Sequence, residues 1–276
     1  MRLLVTGAAG MLGSDLIPYL RTRGHEVIGI DMEVDIRDLA SVQACVAEVA
    51  PEGVIHAAAW TDVDGAEANE PAAYAVNAEG AGNVARAAAH RGAPLVYVST
   101  DYVFDGTLGR DYTEDDLPAP IGAYGRTKRA GELAVLEAHP GGARIARTAW
   151  LYGAHGRNFV DTMRSLGAER EAVQVVADQV GSPTWTRDLS PALESVLALP
   201  AGIYHTAGGG SVTWAGFAEA IFADAGINCR VEPITTAQLG RPGPRPARSV
   251  LAVTRPDAPR LRHWREALRA YLQEAA

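Results

Sequence analysis

The chain has 276 residues, 47% of them hydrophobic and 21% charged, with 25 basic residues against 33 acidic ones and a net charge of −8. Such a composition is ordinary for a soluble globular protein built as one large domain or two closely joined ones. The acidic balance disfavours a nucleic acid polymer or an anionic membrane as partner, and no apolar run reaches the ~18 residues that a membrane helix needs.

The chain opens directly into a strand at residues 3–6, with no charged leader or extended apolar segment before it, which points to the cytoplasm. A helix is expected at 11–23, a strand at 26–30 and a second helix at 39–49. Further strands are expected at 54–56, 95–99 and 143–147, separated by an Ala-rich helix over about 72–90 and a helix over about 122–137. Strands that are apolar throughout, each followed by a helix, indicate a parallel sheet covered on both faces, the doubly wound α/β Rossmann pattern.

The second half is less regular. Helices are expected at 158–166, 189–199 and 214–225, strands at 173–176 and 202–205, a Pro- and Gly-rich stretch at 240–246 and an amphipathic helix at 260–274. This divides the chain into a dinucleotide-binding domain at 1–150 and a smaller, interleaved substrate-binding lobe over 151–276, with about 187–205 returning to the first domain. Cys45 and Cys229 lie far apart, and are expected to be reduced and structural.

Gly7, Gly10 and Gly13 form G-x-x-G-x-x-G between the first strand and the first helix. That context gives a tight turn, close backbone approach to a pyrophosphate and a helix N-terminus aimed at its charge. Asp31 ends the second strand, eighteen residues after Gly13, where a carboxylate accepts hydrogen bonds from the adenosine ribose. Its neighbours Ile30 and Met32 offer no charge to balance a 2′-phosphate, so the residues favour NADH over NADPH. Asp35 and Ile36 follow, positioned to flank the adenine.

Of the 25 basic residues, only Lys128 is a lysine. It stands four residues after Tyr124, so on a helix the phenol and the ammonium share a face. A nearby ammonium stabilises a phenolate and lowers the high pKa of a free tyrosine. Ser99-Thr100-Asp101-Tyr102 follows an apolar strand, which puts its hydroxyls at the C-terminal edge of the sheet, where open α/β folds bind ligands.

These elements resemble the extended, nucleotide-sugar-modifying branch of the short-chain dehydrogenase/reductase superfamily. Its dTDP-4-dehydrorhamnose reductase family is matched nearly end to end: at His56–Thr61, Ser99–Gly106, Arg147–Gly153, Asp178–Thr184 and Arg245–Leu251. The resemblance implies reduction of the C4 keto group of dTDP-4-dehydro-β-L-rhamnose by NADPH or NADH. It also implies Tyr124 as proton donor, Lys128 as its electrostatic partner and Thr100 as the third catalytic group. Met11, Leu12, Asp35, Ile36, Ala57, Ala58 and Ala59 would line the cofactor; Thr100, Asp101, Tyr102, Trp150, Asn158 and Arg245 would meet the sugar nucleotide. The family leaves a homodimer open, and some members hold Mg²⁺ at a dimer interface, but no compact ligand cluster in the sequence carries a metal over.

Nucleotide-sugar dehydratases share the loop and the Tyr/Lys pair, but their elimination step uses an Asp-Glu pair after the Thr; here the second position is Tyr102. Two alternatives stay open: a non-catalytic nucleotide-binding regulatory subunit of the same fold, and a ketoreductase for another nucleotide sugar. Arg241, Arg245 and Arg248, interleaved with prolines, are expected to offer guanidiniums to the substrate diphosphate. Arg260, Arg262, Arg265 and Arg269 read as a solvated helix face, His56 and His205 as core histidines, and Trp185 and Trp214 as packing residues.

Overall fold

Strands apolar along their whole length need cover on both faces, and the computed structural model of the chain, which describes residues 1–274, supplies it. Ala275 and Ala276, the end of the expected lobe, lie outside the described residues. The first half runs β1 (Arg2–Thr6), α1 (Met11–Thr22), β2 (Glu26–Ile30), α2 (Leu39–Val49), β3 (Gly53–His56), α3 (Ala81–Arg91), β4 (Leu95–Thr100), α4 (Ala123–Ala138) and β5 (Ala143–Thr148). The second runs α5 (Phe159–Glu169), β6 (Ala172–Val176), α6 (Thr186–Leu197), β7 (Gly202–His205), α7 (Trp214–Ala225), β8 (Arg230–Ile234) and α8 (Trp264–Glu274). Six strands pair in the order β7-β5-β4-β3-β1-β2, all neighbours parallel. The fold is a doubly wound α/β sheet.

The pleat sends successive residues to opposite faces. Leu4, Val54, Leu95, Tyr97 and Ile145 pack against α2, α3 and α4. Leu3, Val5, Ile55, Val96 and Ala146 pack against Leu12, Leu16 and Leu20 of α1 and Leu189, Leu193 and Val196 of α6. So α6 covers the sheet and β7 then joins its edge, with Ile203 opposite Ile145 and His205 opposite Arg147. A separate core of Tyr152, Val160, Trp185, Phe217, Ile221, Trp264, Leu268 and Tyr271 holds α5, α7 and α8 together beside the β6–β8 pair.

Three details depart from the sequence reading. The Ala-rich helix is not continuous: a short helix Glu70–Tyr74 passes through a π-turn, Ala75–Gly80, before α3. The widened turn carries Asn77, whose amide bonds Trp60 N and O and Thr127 Oγ1 at 2.8, 3.1 and 3.1 Å. The terminal helix starts at Trp264, not 260, and its arginines are not simply solvated. Arg262 pairs with Asp188 at 2.6 Å, while Arg265 and Arg269 reach Asp224 at 2.9 and 3.5 Å. Two short pairings were not anticipated: Leu151–Tyr152 with Thr184–Trp185, and Val180–Gly181 with Val212–Thr213. Among the described residues no helix is long and apolar enough to cross a membrane. Both cysteines are free and partly buried.

Candidate active site

The glycine loop leaves β1 through Gly7, whose φ of +71° suits glycine. A Cβ on Gly13 would stand 2.3 Å from Gly7 O, and one on Gly7 would stand 2.7 Å from Ala58 N. The loop therefore closes tightly and rests on the 57–59 segment after β3, so two of the expected cofactor segments lie together. Gly10 begins α1 without a side-chain cap, leaving first-turn N–H groups for an anion. Met11 is partly exposed beside the loop, but Leu12 turns into the core, so only its backbone faces a ligand.

Asp31 sits just past β2 and accepts from Ala9 N at 2.8 Å, which ties this expected ribose-binding residue to the glycine loop. Asp35 is held by Arg37 through two bonds of 2.8 Å, and this guanidinium lowers its carboxyl to about 2. Arg37 is thus a positive charge in this region that the sequence reading, confined to the immediate neighbours of Asp31, passed over. Ile36 is buried against Gly80, and Asn83 Nδ2 bonds the carbonyls of Ile36 and Arg37, both at 3.0 Å.

At the C-terminal edge of the sheet, Thr100 ends β4 and Tyr124 and Lys128 sit on the facing side of α4. Burial pushes the Tyr124 phenol up to about 12, and the Thr100 hydroxyl beside it works the other way. Lys128 is 2% exposed; its Nζ donates to Val98 O at 2.8 Å and lies 4.1 Å from the centre of the Tyr97 ring. Burial lowers its pKa to about 7, opposed by Glu132. The three expected catalytic residues are therefore brought together, with Tyr102 edge-on to Tyr124 at 5.7 Å between ring centres.

Asp101 is buried behind this edge. Its carboxyl bonds Ser249 Oγ and accepts from Thr100 Oγ1 at 3.1 Å. Burial raises it to about 7 against those two hydroxyls. Arg245 is 11% exposed on its side chain and makes two contacts of 3.0 Å with Asp64 Oδ1. Arg248 pairs with Asp111 at 2.5 Å and Arg241 approaches Asp64 at 3.5 Å. All three arginines expected to face a diphosphate are thus held by aspartates, although the charge of Arg245 still reaches the Tyr102 phenol.

Trp150 follows β5 with φ +47°, a conformation that costs a bulky residue about 1–3 kcal/mol. Its ring stacks on Trp214 at 3.5 Å with planes 5° apart, and Gly181 lies so close that a Cβ there would be 2.3 Å from Trp150 Cε2. Trp214 packs as expected, against the lobe core and under Trp150, an expected substrate residue, while Trp185 is core. Asn158 caps α5: Oδ1 accepts from Asp161 N, and Nδ2 donates to Gly153 O and to Asp161 Oδ2. Its amide is fully engaged within the chain.

His56 and His205 are buried as expected, each with one ring nitrogen paired. His56 Nδ1 lies 2.6 Å from Thr6 Oγ1 and His205 Nδ1 lies 2.9 Å from Ala252 O. Behind Lys128 are two buried residues that sequence reasoning missed, Glu132 and Arg147, and with them Ser99, whose hydroxyl was expected at the ligand edge and instead donates to Glu132 at 2.7 Å. One signal was available, because Glu132 continues the four-residue spacing of Tyr124 and Lys128. Nothing local links Arg147 or Ser249 to the site, since tertiary folding alone brings them there. Asp15 and Glu274 both pair with Arg187, at 3.6 and 2.6 Å, and among the described residues no group of three His, Cys, Asp or Glu converges to hold a metal.

The whole chain, residues 1–276, matches the family model described as the RmlD substrate binding domain. It is 48% identical over 278 residues to a dTDP-4-dehydrorhamnose reductase of Streptomyces griseus, covering 97% of this chain and 91% of that protein. It is 44% identical over 276 residues to a dTDP-4-keto-6-deoxy-D-glucose reductase of Streptomyces niveus, covering 97% and 95%. A solved structure of a dTDP-4-dehydrorhamnose reductase from Bacillus anthracis, in complex with NADP, superposes with a TM-score of 0.96 at 41% identity over 99% of both chains.

Proposed function

The chain belongs to the RmlD substrate binding domain family, and on that premise we propose that it is an NAD(P)H-dependent oxidoreductase that reduces dTDP-4-dehydro-β-L-rhamnose at C4 to dTDP-L-rhamnose. The observation that carries this reading is the placement of Tyr124 and Lys128 on one face of α4, with Thr100 against the phenol at the sheet's C-terminal edge. The reductase names of the relatives support it, as does the NADP held by the Bacillus anthracis structure.

The closed glycine cradle and the uncapped start of α1 fit a dinucleotide pyrophosphate. Asp31 receives the adenosine ribose, Asp35 and Ile36 flank the adenine, and residues 57–59 line the inner half of the site. The bound nicotinamide supplies a hydride to C4 of the sugar. Tyr124 gives its phenolic proton to the carbonyl oxygen as that oxygen gains charge, and the Thr100 hydroxyl, turning its single proton from Asp101 to the same oxygen, fixes its position. The Lys128 ammonium holds the nicotinamide ribose and stabilises the phenolate left on Tyr124. Asp101, whose carboxyl burial raises to about 7, orients Thr100 while carrying only part of a negative charge beside the phenolate near neutral pH. Trp150 and Arg245 border the sugar nucleotide from the lobe side.

The test is oxidation of NADPH and of NADH, assayed separately, with a panel of 4-keto sugar nucleotides that differ in base and sugar. Turnover of dTDP-4-dehydro-β-L-rhamnose above the rest is expected. Preference for another member of the panel moves the chain to a different 4-keto sugar. Tight dinucleotide binding without turnover on any of them makes it a regulatory subunit.

A further inference from the structure

Glu132 is a buried carboxylate to which the steps above give no task. It lies four residues after Lys128 and eight after Tyr124, on the same face of α4, and is 0% exposed. Four donors converge on it: Ser99 Oγ at 2.7 Å, Arg147 Nε at 2.8 Å, Arg147 Nη2 at 2.9 Å and Arg129 Nη1 at 2.8 Å. Arg147 is also fully buried, its guanidinium 5.0 Å from the centre of the Phe104 ring and its Nη1 without a hydrogen-bond partner. Apolar residues of similar volume often stabilise a core as well as a buried ion pair does, so stability alone is a weak reason for this cluster.

Lys128 has the opposite difficulty. Its direct partners, Val98 O and the Tyr97 ring, carry no formal charge. The titratable groups around it are His56 on β3, Tyr97 on β4, and Tyr124 and Glu132 on α4. His56 is kept neutral by burial and by the charge of Lys128. Glu132 is the carboxylate of that set, and it is shared with Arg147 on β5, Arg129 on α4 and, more remotely, His205 on β7.

We propose that Glu132 is a positioning residue of the reduction: clamped by Ser99, Arg129 and Arg147, its carboxylate sets the charge of Lys128 and through it the readiness of Tyr124 to release its proton. The proposal rests on the reading of Tyr124 and Lys128 as the reacting pair. Arg147 acts against Lys128 by drawing on the same carboxylate and by adding a second buried cation. The direction of the perturbation at Lys128 agrees, since burial drives the ammonium towards neutrality and Glu132 pulls it back.

Because Lys128 is the only lysine in the chain, labelling lysine Cε with carbon-13 gives one lysine side-chain NMR signal, and its shift titrates Lys128 in the intact protein without substrate. Glu132→Gln should lower the titration midpoint by about one pH unit or more. Arg147→Met should raise it, and leaves Glu132 bonded to Ser99 and Arg129, so the carboxylate is not stranded. Glu132→Asp should return the midpoint towards the wild-type value. The alkaline limb of the kcat profile should move in the same direction as the midpoint in each variant. An unchanged midpoint in folded Arg147→Met protein, or in folded Glu132→Gln protein, overturns the proposal; should Glu132→Gln not fold, Arg147→Met decides alone. Shifted midpoints in a chain whose wild type turns over no 4-keto sugar support the coupling and remove the reductase reading instead.

Discussion

Replacing Lys128 by Arg keeps the formal charge and removes almost everything else that the position requires. The side chain is 2% exposed, bounded by Val98 O at 2.8 Å and the Tyr97 ring at 4.1 Å, so the two extra nitrogens of a guanidinium have no free volume to enter. Overpacking of this kind costs about 1–3 kcal/mol, a fall in Tm of several degrees for a chain of this size. Displacing the partner of a proton donor should lower kcat at least about 100-fold. A second measurement separates charge from shape. Burial takes the Lys128 pKa from 10.5 to about 7, so between those values the native chain binds fewer protons than the unfolded one. Stability attributable to this residue therefore rises with pH across that window, by up to about 1.4 kcal/mol per pH unit. Lys128→Arg stays charged throughout and should lose both the slope and the turnover. Lys128→Met should also lose both, yet melt at or above the wild-type temperature near neutral pH. Steady-state NADPH oxidation and denaturant melts from pH 7 to 10 make the comparison. A Lys128→Arg variant with near-normal kcat, or one that keeps the slope, refutes the argument.

Gly13→Ala would force a Cβ to within 2.3 Å of Gly7 O; the loop must open, and the dinucleotide Kd measured by titration calorimetry should rise at least about tenfold. Arg245→Ala should raise KM for the sugar nucleotide about tenfold while kcat holds, as expected for loss of a charge-assisted bond; an unchanged KM leaves Arg245 as a partner of Asp64 only. Asp101 has a folded pKa of about 7 against 3.8 unfolded, so its contribution to stability is complete below pH 3.8 and is lost as pH rises through 7. Asp101→Asn should abolish that loss in urea melts, and an unaltered profile counts against a protonated Asp101. His56 runs the other way: with a folded pKa of about 3 against 6.5, it costs stability as pH falls below 6.5, and His56→Gln should flatten the acid side of the Tm profile.

What the sequence disclosed was the part that is local. The glycine spacing, the apolar strands and the four-residue interval between Tyr124 and Lys128 each sit within one turn, strand or helix, where periodicity is a direct consequence of geometry. The break of the Ala-rich helix at Ala75–Gly80 was not visible, because it depends on Asn77 finding Trp60 and Thr127 across the fold. The Arg245 to Ser249 segment read as guanidiniums offered to the substrate diphosphate, and its aspartate partners at 64, 101 and 111 could be assigned only with the chain folded. Glu132 lay between these cases: its spacing was legible, and its meaning needed Arg147, which arrives from another strand.

The order in which the sheet is assembled has a bearing on how the protein is made. β5 pairs with β4 on one side and with β7 on the other, and β7 is not complete until His205. On the ribosome, β5 therefore waits with an open row of backbone groups, and α6, which covers Leu3, Val5 and Val96, is still to come. Exposed edges and uncovered apolar faces of this kind are where nascent chains recruit one another. A fragment ending near residue 150 lacks both β7 and α6, and is expected to aggregate where the full chain folds.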